Sequence, residues 1–293
     1  MLETKKNRIW ELDFLRGFAI ILVVFDHACF DFGQLFYMWR NCGNAFLENV
    51  YAFANGYIFG DVRLLWRSSF LFLFFFVSGI CTSLSRNNFF RGLKLWAVAL
   101  LVSIVTMIID LKSGSDSSFV LLGVLHCLAL VILLYACVDA LLSGIFKIVK
   151  KVRKKEGKAW VEIFVRCLVF FAIATVGMVL QKVYNPLMRD VSGNFAVSSV
   201  DGWLGFLFYT REWWTADYFP LIPFVSFFFL GAIVGITVYR DKKTKLPILD
   251  GTWHVPFTFV GKYSLFVYLG GQIFCILLGV ALSALILGNP LLF

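Results

Sequence analysis

The chain has 293 residues, 60% hydrophobic and 18% aromatic, with only 15% charged and a mean hydropathy of +0.83. A soluble domain of this length does not carry so much apolar sequence, so composition points to an integral helical membrane protein. The net charge of +9 does not signal nucleic acid, because the basic residues sit in short segments between apolar runs, where they act as topology determinants.

Seven apolar runs are long enough to span a bilayer: 12–32, 65–84, 92–110, 119–142, 162–182, 218–238 and 261–287. The expected fold is an all-α integral membrane protein, a polytopic bundle of about seven transmembrane helices with folded-back outer segments, forming one membrane-embedded domain over 1–293. No repeat is evident at solenoid periods. With the amino terminus cytoplasmic, 18 basic residues fall in inner segments against seven in outer ones. The inner set is Lys5, Lys6, Arg8, Arg86, Arg91, Lys94, the dense run Lys147 to Lys158, and Arg240 to Lys262. The outer set is Arg40, Arg63, Arg67, Lys112, Lys182, Arg189 and Arg211. This bias places the amino terminus inside and the carboxyl terminus outside. The start MLETKKNR and the apolar stretch behind it imitate a signal peptide, but Asp26 and His27 interrupt the place of cleavage, so the first helix is expected to be retained.

That first helix puts ionisable groups where charge is costly. At about 100° per residue, Asp13, Arg16, Ile20, Val23, Val24, His27 and Asp31 share one stripe, with Asp26 about a quarter turn away. Asp13 and Arg16 mark the inner end; His27, Asp26 and Asp31 mark the outer end. Asp31 is one turn beyond His27 and is its better helical partner by geometry. A carboxylate beside an imidazole orients the ring and suits it to general-base work. Asp13 and Arg16, three residues apart, either neutralise each other or leave the guanidinium to face a phosphate.

The pattern Leu12-Asp13-Phe14-Leu15-Arg16-Gly17-Phe18-Ala19, with ten residues between Arg16 and His27, resembles the first helix of membrane acyltransferases. The Asp26-His27 pair and later landmarks resemble the bacterial relatives of heparan-α-glucosaminide N-acetyltransferase, while the membrane acyltransferase-3 family shares the arginine-to-histidine spacing. The resemblance points to Asp26, not Asp31, as the partner of His27. It implies acetyl-CoA as co-substrate, with no metal.

Further along, the segment 33–63 is too aromatic for an ordinary loop and is expected to fold back onto the outer face. Ser78-Gly79-Ile80 resembles a family motif whose small residues permit close helix approach. His126, in Gly123-Val124-Leu125-His126, is expected about two turns into the fourth span, either as a core histidine or as an acceptor contact. The basic run Lys147 to Lys158 suits a cytoplasmic loop drawn to anionic lipid. Glu162 and Arg166, four residues apart, are expected to satisfy one another. The segment 183–217 carries Trp203, Trp213 and Trp214 with Asp201 and Glu212, either an interfacial aromatic belt or a sugar-stacking platform. Asp217-Tyr218-Phe219-Pro220-Leu221-Ile222-Pro223 opens the sixth span and resembles an acidic, proline-rich opening in the family, which makes Asp217 an acceptor-side candidate. Gly261-Lys262-Tyr263-Ser264-Leu265 resembles the family's Gly-(Arg/Lys)-x-Ser-Leu segment and adds Lys262 and Ser264 to the donor side with Arg16 and Asp13. Gly271-Gln272 stands where that family often has His-Gln. His254, in an inner loop, is given no role. The seven cysteines, with no Cys-x-x-Cys pair, are expected to pack as small apolar residues.

The resulting expectation is a plasma-membrane acyltransferase that moves an acetyl group from cytoplasmic acetyl-CoA to a hydroxyl or amine of an extracytoplasmic saccharide or envelope glycan. The alternative is a small proton-coupled transporter using the same intramembrane Asp, Arg and His residues.

Overall fold

The computed structural model describes residues 8–113, 119–153, 159–184, 204–208 and 217–288. Nine helices are described: α1 Trp10–Phe30, α2 Ala45–Phe59, α3 Asp61–Ile80, α4 Asn88–Ser113, α5 Val124–Arg153, α6 Ala159–Tyr184, α7 Phe224–Thr237, α8 Val255–Lys262 and α9 Ser264–Leu287. Among the described residues there are no strands, only one parallel bridge between Leu122 and Tyr218.

Each of the seven apolar runs holds a helix, as expected where backbone groups must bond within their own segment. Five of them, α3, α4, α5, α6 and α9, are long and apolar enough to cross a membrane. The helix α1 carries Glu11, Asp13, Arg16 and Asp26, and α7 has only 14 residues. The protein is an all-helical, multi-pass membrane protein.

Two runs begin later as helices than their hydropathy suggests. Residues 217–223 stay outside the helix, with a bridge at Tyr218 and a turn at Ile222 and Pro223, because Pro220 and Pro223 stop the helix from starting earlier. Their backbone is satisfied from elsewhere in the chain: Phe219 N donates to Leu122 O at 2.8 Å, Leu221 N to Phe206 O at 2.9 Å and Ile222 N to Leu207 O at 3.0 Å. The run 119–142 likewise becomes helical only at Val124, so His126 lies in the first turn of α5 and not two turns in.

The described chain forms two compact units, Met1–Phe74 with Lys243–Phe293, and Phe75–Lys242. In the first, α1 packs on α8, α9 and α2. A Cβ at Gly17 would lie 1.9 Å from Phe257 O, and one at Gly261 would lie 1.7 Å from Asp13 O. The two helices therefore cross in backbone contact, which only glycine permits at these positions. Below the crossing, buried Glu11 accepts from Thr244 Oγ1 at 2.7 Å and from Lys245 N at 2.6 Å. Trp10 stacks on His254 with ring centroids 4.2 Å apart.

The aromatic segment folds back as expected. A π-helical turn over Asp31–Leu35 and a 3-10 turn over Tyr37–Asn41 reverse the chain, and the Asn44 side chain caps α2 by accepting from the backbone N–H groups of Phe46 and Leu47. Phe32, Phe36 and Trp39 stack together; Phe36 fills the notch at Gly279 of α9, and Trp39 Nε1 donates to Ser283 Oγ at 2.9 Å.

In the second unit, α5 packs on α4 and α7, and α6 packs on α7, around Phe75, Tyr135, Phe170, Phe228 and Phe229. Gly79 meets Phe228 O, and Gly231 meets Phe76 O, at positions where a Cβ would lie 2.0 and 1.9 Å away. The close approach expected of Ser78-Gly79 is thus present, and Arg91 Nη2 donates to Ser78 Oγ at 2.7 Å. The expected Glu162–Arg166 pair does not form. Arg166 instead bonds to Asp139 and to Ser143 Oγ, and Glu162 takes Lys150 at 2.7 Å, because α5 presents better-placed partners to each. All seven cysteines are free thiols, four of them buried.

Candidate active site on the first helix

The carboxyl end of α1 carries the histidine. His27 Nδ1 lies 2.9 Å from Val23 O. A carbonyl oxygen only accepts, so Nδ1 holds the proton of the neutral ring and Nε2 keeps the lone pair. The second ring contact comes from Tyr268 of α9, perpendicular to the imidazole with centroids 5.5 Å apart. The first and last spans therefore meet at His27.

Neither expected carboxylate holds the ring. Asp26, 5% exposed, accepts from Arg63 Nε at 2.7 Å and Nη2 at 3.1 Å, and from the Tyr57 hydroxyl at 3.2 Å. Asp31, also 5% exposed, accepts both amide bonds of Gln272 Nε2, at 3.1 and 2.8 Å. Asp26 and Asp31, the expected orienting partners of His27, thus make their hydrogen bonds to these groups, while the ring itself bonds to Val23 O. A buried carboxylate takes the strongest donors within reach, here a guanidinium fork and an amide, and the Val23 carbonyl holds the ring in their place.

The amino-terminal half of α1 carries the candidates expected on the donor side. Arg16 Nη1 donates to Asp13 Oδ1 at 3.3 Å and to Gly261 O at 3.4 Å. Asp13 is held more closely by Arg8, whose Nε lies 2.7 Å from Oδ2. The Gly17–Gly261 crossing thus brings the arginine of the first-helix motif against the glycine that precedes Lys262 and Ser264. Lys262 is exposed, with its ammonium 4.8 Å from the Tyr263 ring. Arg16 and His27 are eleven residues apart on an unbroken helix, about 16 Å along its axis.

The acceptor-side candidates belong to the second unit, where they come together. Asp217 Oδ2 accepts from Val124 N at 3.1 Å, at the amino end of α5, and a Cβ on Gly123 would lie 2.6 Å from that oxygen. His126 is 2% exposed; Gly123 N donates to its Nδ1 at 3.3 Å, and its Nε2 lies 3.1 Å from Ser103 Oγ. Ser103 Oγ passes its own proton to Val120 O at 2.6 Å. Both ring nitrogens of His126 are therefore committed, and of its two expected roles the core histidine is the one its bonding supports. Asp201, Trp203, Trp213, Trp214 and Glu212 lie outside the described residues, as do Lys5, Lys6, Lys154, Lys155, Lys158, Arg189 and Arg211. Among the described residues, no group of three or more His, Cys, Asp or Glu side chains is disposed to hold a metal ion.

A family model described as heparan-alpha-glucosaminide N-acetyltransferase, catalytic, matches residues 8–273, and so runs through both units. The chain belongs to this family. Neither curated proteins nor solved structures give a significant match to it. As a family member the chain is a membrane acetyltransferase in general type, and the matched stretch contains both ends of α1, the Gly17–Gly261 crossing and the His27–Tyr268 contact. At Gly271, where the family often has histidine, a Cβ would lie 2.9 Å from Val24 Cγ1, so α9 uses this position to approach α1.

Arg63, Tyr57 and Tyr268 are the site neighbours that sequence reasoning passed over. Arg63 was legible only as one of the outer basic residues. Gln272 was noted for its place and not for its bond to Asp31.

Proposed function

We propose that this protein transfers an acetyl group from cytoplasmic acetyl-CoA to a hydroxyl or amine of an extracytoplasmic saccharide or envelope glycan, in the plasma membrane. The observation that supports this most is the state of His27: its Nδ1 proton is given to Val23 O, so Nε2 is the nitrogen with a free lone pair. In direct transfer, Nε2 takes the proton from the acceptor O–H or N–H as that atom bonds to the thioester carbonyl carbon. The C–S bond then breaks, and the departing thiolate receives the proton from the imidazolium. In the two-step form, Nε2 attacks the thioester carbon and the C–S bond breaks to release the CoA thiolate; the acceptor oxygen or nitrogen then attacks the acetyl carbon, the bond to Nε2 breaks, and the acceptor's proton passes through the imidazole to the thiolate.

Arg16, with Lys262 beside the same crossing, suits the phosphates of the donor: guanidinium matches phosphate oxygens in a fork and ammonium supports it as a point charge. Ser264 supplies a hydroxyl next to them. Asp217 is the acceptor-side candidate that remains. The test is whether purified protein binds CoA and slowly hydrolyses acetyl-CoA without acceptor. Binding with His27-dependent hydrolysis is the expected result; absence of both in folded protein overturns the proposal and favours a transporter.

A further inference from the structure

Asp26 is almost fully buried at the carboxyl end of α1, next to His27, yet its hydrogen bonds go elsewhere. A carboxylate in such a place is tolerated only when its oxygens are filled. Here three donors fill them, and all three come from the folded-back segment: the Tyr57 hydroxyl near the end of α2, and Nε and Nη2 of Arg63 in the first turn of α3. Burial and the neighbouring carboxylate push the Tyr57 phenol above its ordinary range, so it stays a donor. The Tyr57 ring also packs edge-on against Phe25, with centroids 5.2 Å apart. At the other end of the same segment, Asp31 is held by Gln272 of α9. The aromatic segment, which packs on α1, is thus pinned twice, four residues to one side of His27 and one residue to the other.

We infer that Arg63 and Tyr57 are positioning residues, which clasp the outer segment to Asp26 and thereby set how His27 is reached from the outer side. The inference rests on His27 being the working residue. It assigns Asp26 a task different from that of an orienting carboxylate: it is the seat of the clasp.

The test uses the full-length protein and the rate at which diethyl pyrocarbonate modifies each histidine, read by peptide mass spectrometry. His126 and His254, both buried, serve as internal controls. The variants are Arg63→Gln, Asp26→Asn, the double variant, Tyr57→Phe and the conservative Arg63→Lys. Loss of a charge-assisted, two-pronged bond should raise His27 modification roughly tenfold or more in Arg63→Gln and Asp26→Asn. The double variant should be no faster than either single one, because one clasp is broken in each. Tyr57→Phe and Arg63→Lys should fall between these and the unaltered protein. Unchanged His27 rates, or equal increases at all three histidines, overturn the clasp. Acetyl-CoA hydrolysis adds an independent arm. A clasp requires Asp26→Asn and Arg63→Gln to change it alike, whereas loss in Asp26→Asn alone restores the orienting carboxylate and overturns the inference. If the unaltered protein neither binds CoA nor hydrolyses acetyl-CoA, the proposed function fails, and the modification rates still decide the clasp.

Discussion

Replacing Arg16 by lysine separates two roles that a guanidinium at this place on α1 can play. Its bonds to Asp13 Oδ1 and Gly261 O, at 3.3 and 3.4 Å, are both at the long end of the hydrogen-bond range. Asp13 has a closer partner in Arg8 at 2.7 Å, and the Arg16 side chain is 22% exposed. Lysine keeps the charge and leaves the Arg8–Asp13 pair in place, so the effect on folding should be small, about 0–1 kcal/mol. If the fork grips a donor phosphate, the loss is that of a bidentate charged bond, about 1–3 kcal/mol, or roughly 5- to 150-fold in Kd for CoA. The two ranges barely overlap, so magnitude alone decides. The assay is calorimetric titration of detergent-solubilised protein with CoA, with the thermal unfolding midpoint as control. An unchanged Kd in an Arg16→Lys protein of unchanged midpoint refutes the phosphate contact and leaves Arg16 as a partner of Asp13.

Further outcomes follow from the same geometry. His27→Gln should lower acetyl transfer by about 10² to 10⁴ while CoA titration stays near normal, because the phosphates are held about 16 Å away along α1; transfer at near the original rate removes the assignment. Gly261→Ala places a methyl 1.7 Å from Asp13 O, so α1 and α8 must separate, and thermal unfolding in detergent should report a loss of about 1–3 kcal/mol. A midpoint equal to that of the unaltered protein would contradict the backbone contact. Single cysteines at Lys147 and Lys243 should resist a membrane-impermeant thiol reagent on intact cells; labelling from outside would reverse the orientation and with it the donor side.

Much of the fold was legible because lipid imposes a simple rule on the chain. Seven apolar runs became seven helices, and the folded-back aromatic segment was visible as a stretch too rich in rings to be a loop. Starts were less legible: Asp217 to Pro223 runs into the same apolar stretch as the helix behind it, and its prolines and borrowed hydrogen bonds keep it out of that helix. The site was half legible. His27 and Arg16 stood out because charge inside a span needs a reason, but the partners of Asp26 and Asp31 lie 37 and 241 residues away, beyond any spacing argument. Gly17 and Gly261 sit inside motifs that invite a chemical interpretation, whereas their observed work is to let two helices touch. His254 was given no role, yet it stacks on Trp10, a contact that no local pattern announces.

The first unit is discontinuous, and this bears on how the protein is made. Glu11 is satisfied by Thr244 and Lys245, Asp31 by Gln272 and Trp39 by Ser283, partners separated from them by 233 to 244 residues. At ordinary elongation speeds of about 5–20 residues per second, roughly 10–50 s pass between synthesis of Glu11, Asp31 and Trp39 and arrival of these partners. During that interval the most charged span of the protein is already in or near the membrane, while the intervening spans are inserted after it. A ribosome stalled before residue 243 therefore leaves Glu11 and Asp31 without the partners that make their burial tolerable. Nascent chains of that length should be preferred substrates for membrane quality-control proteases, and the window closes only when α8 docks at Gly17.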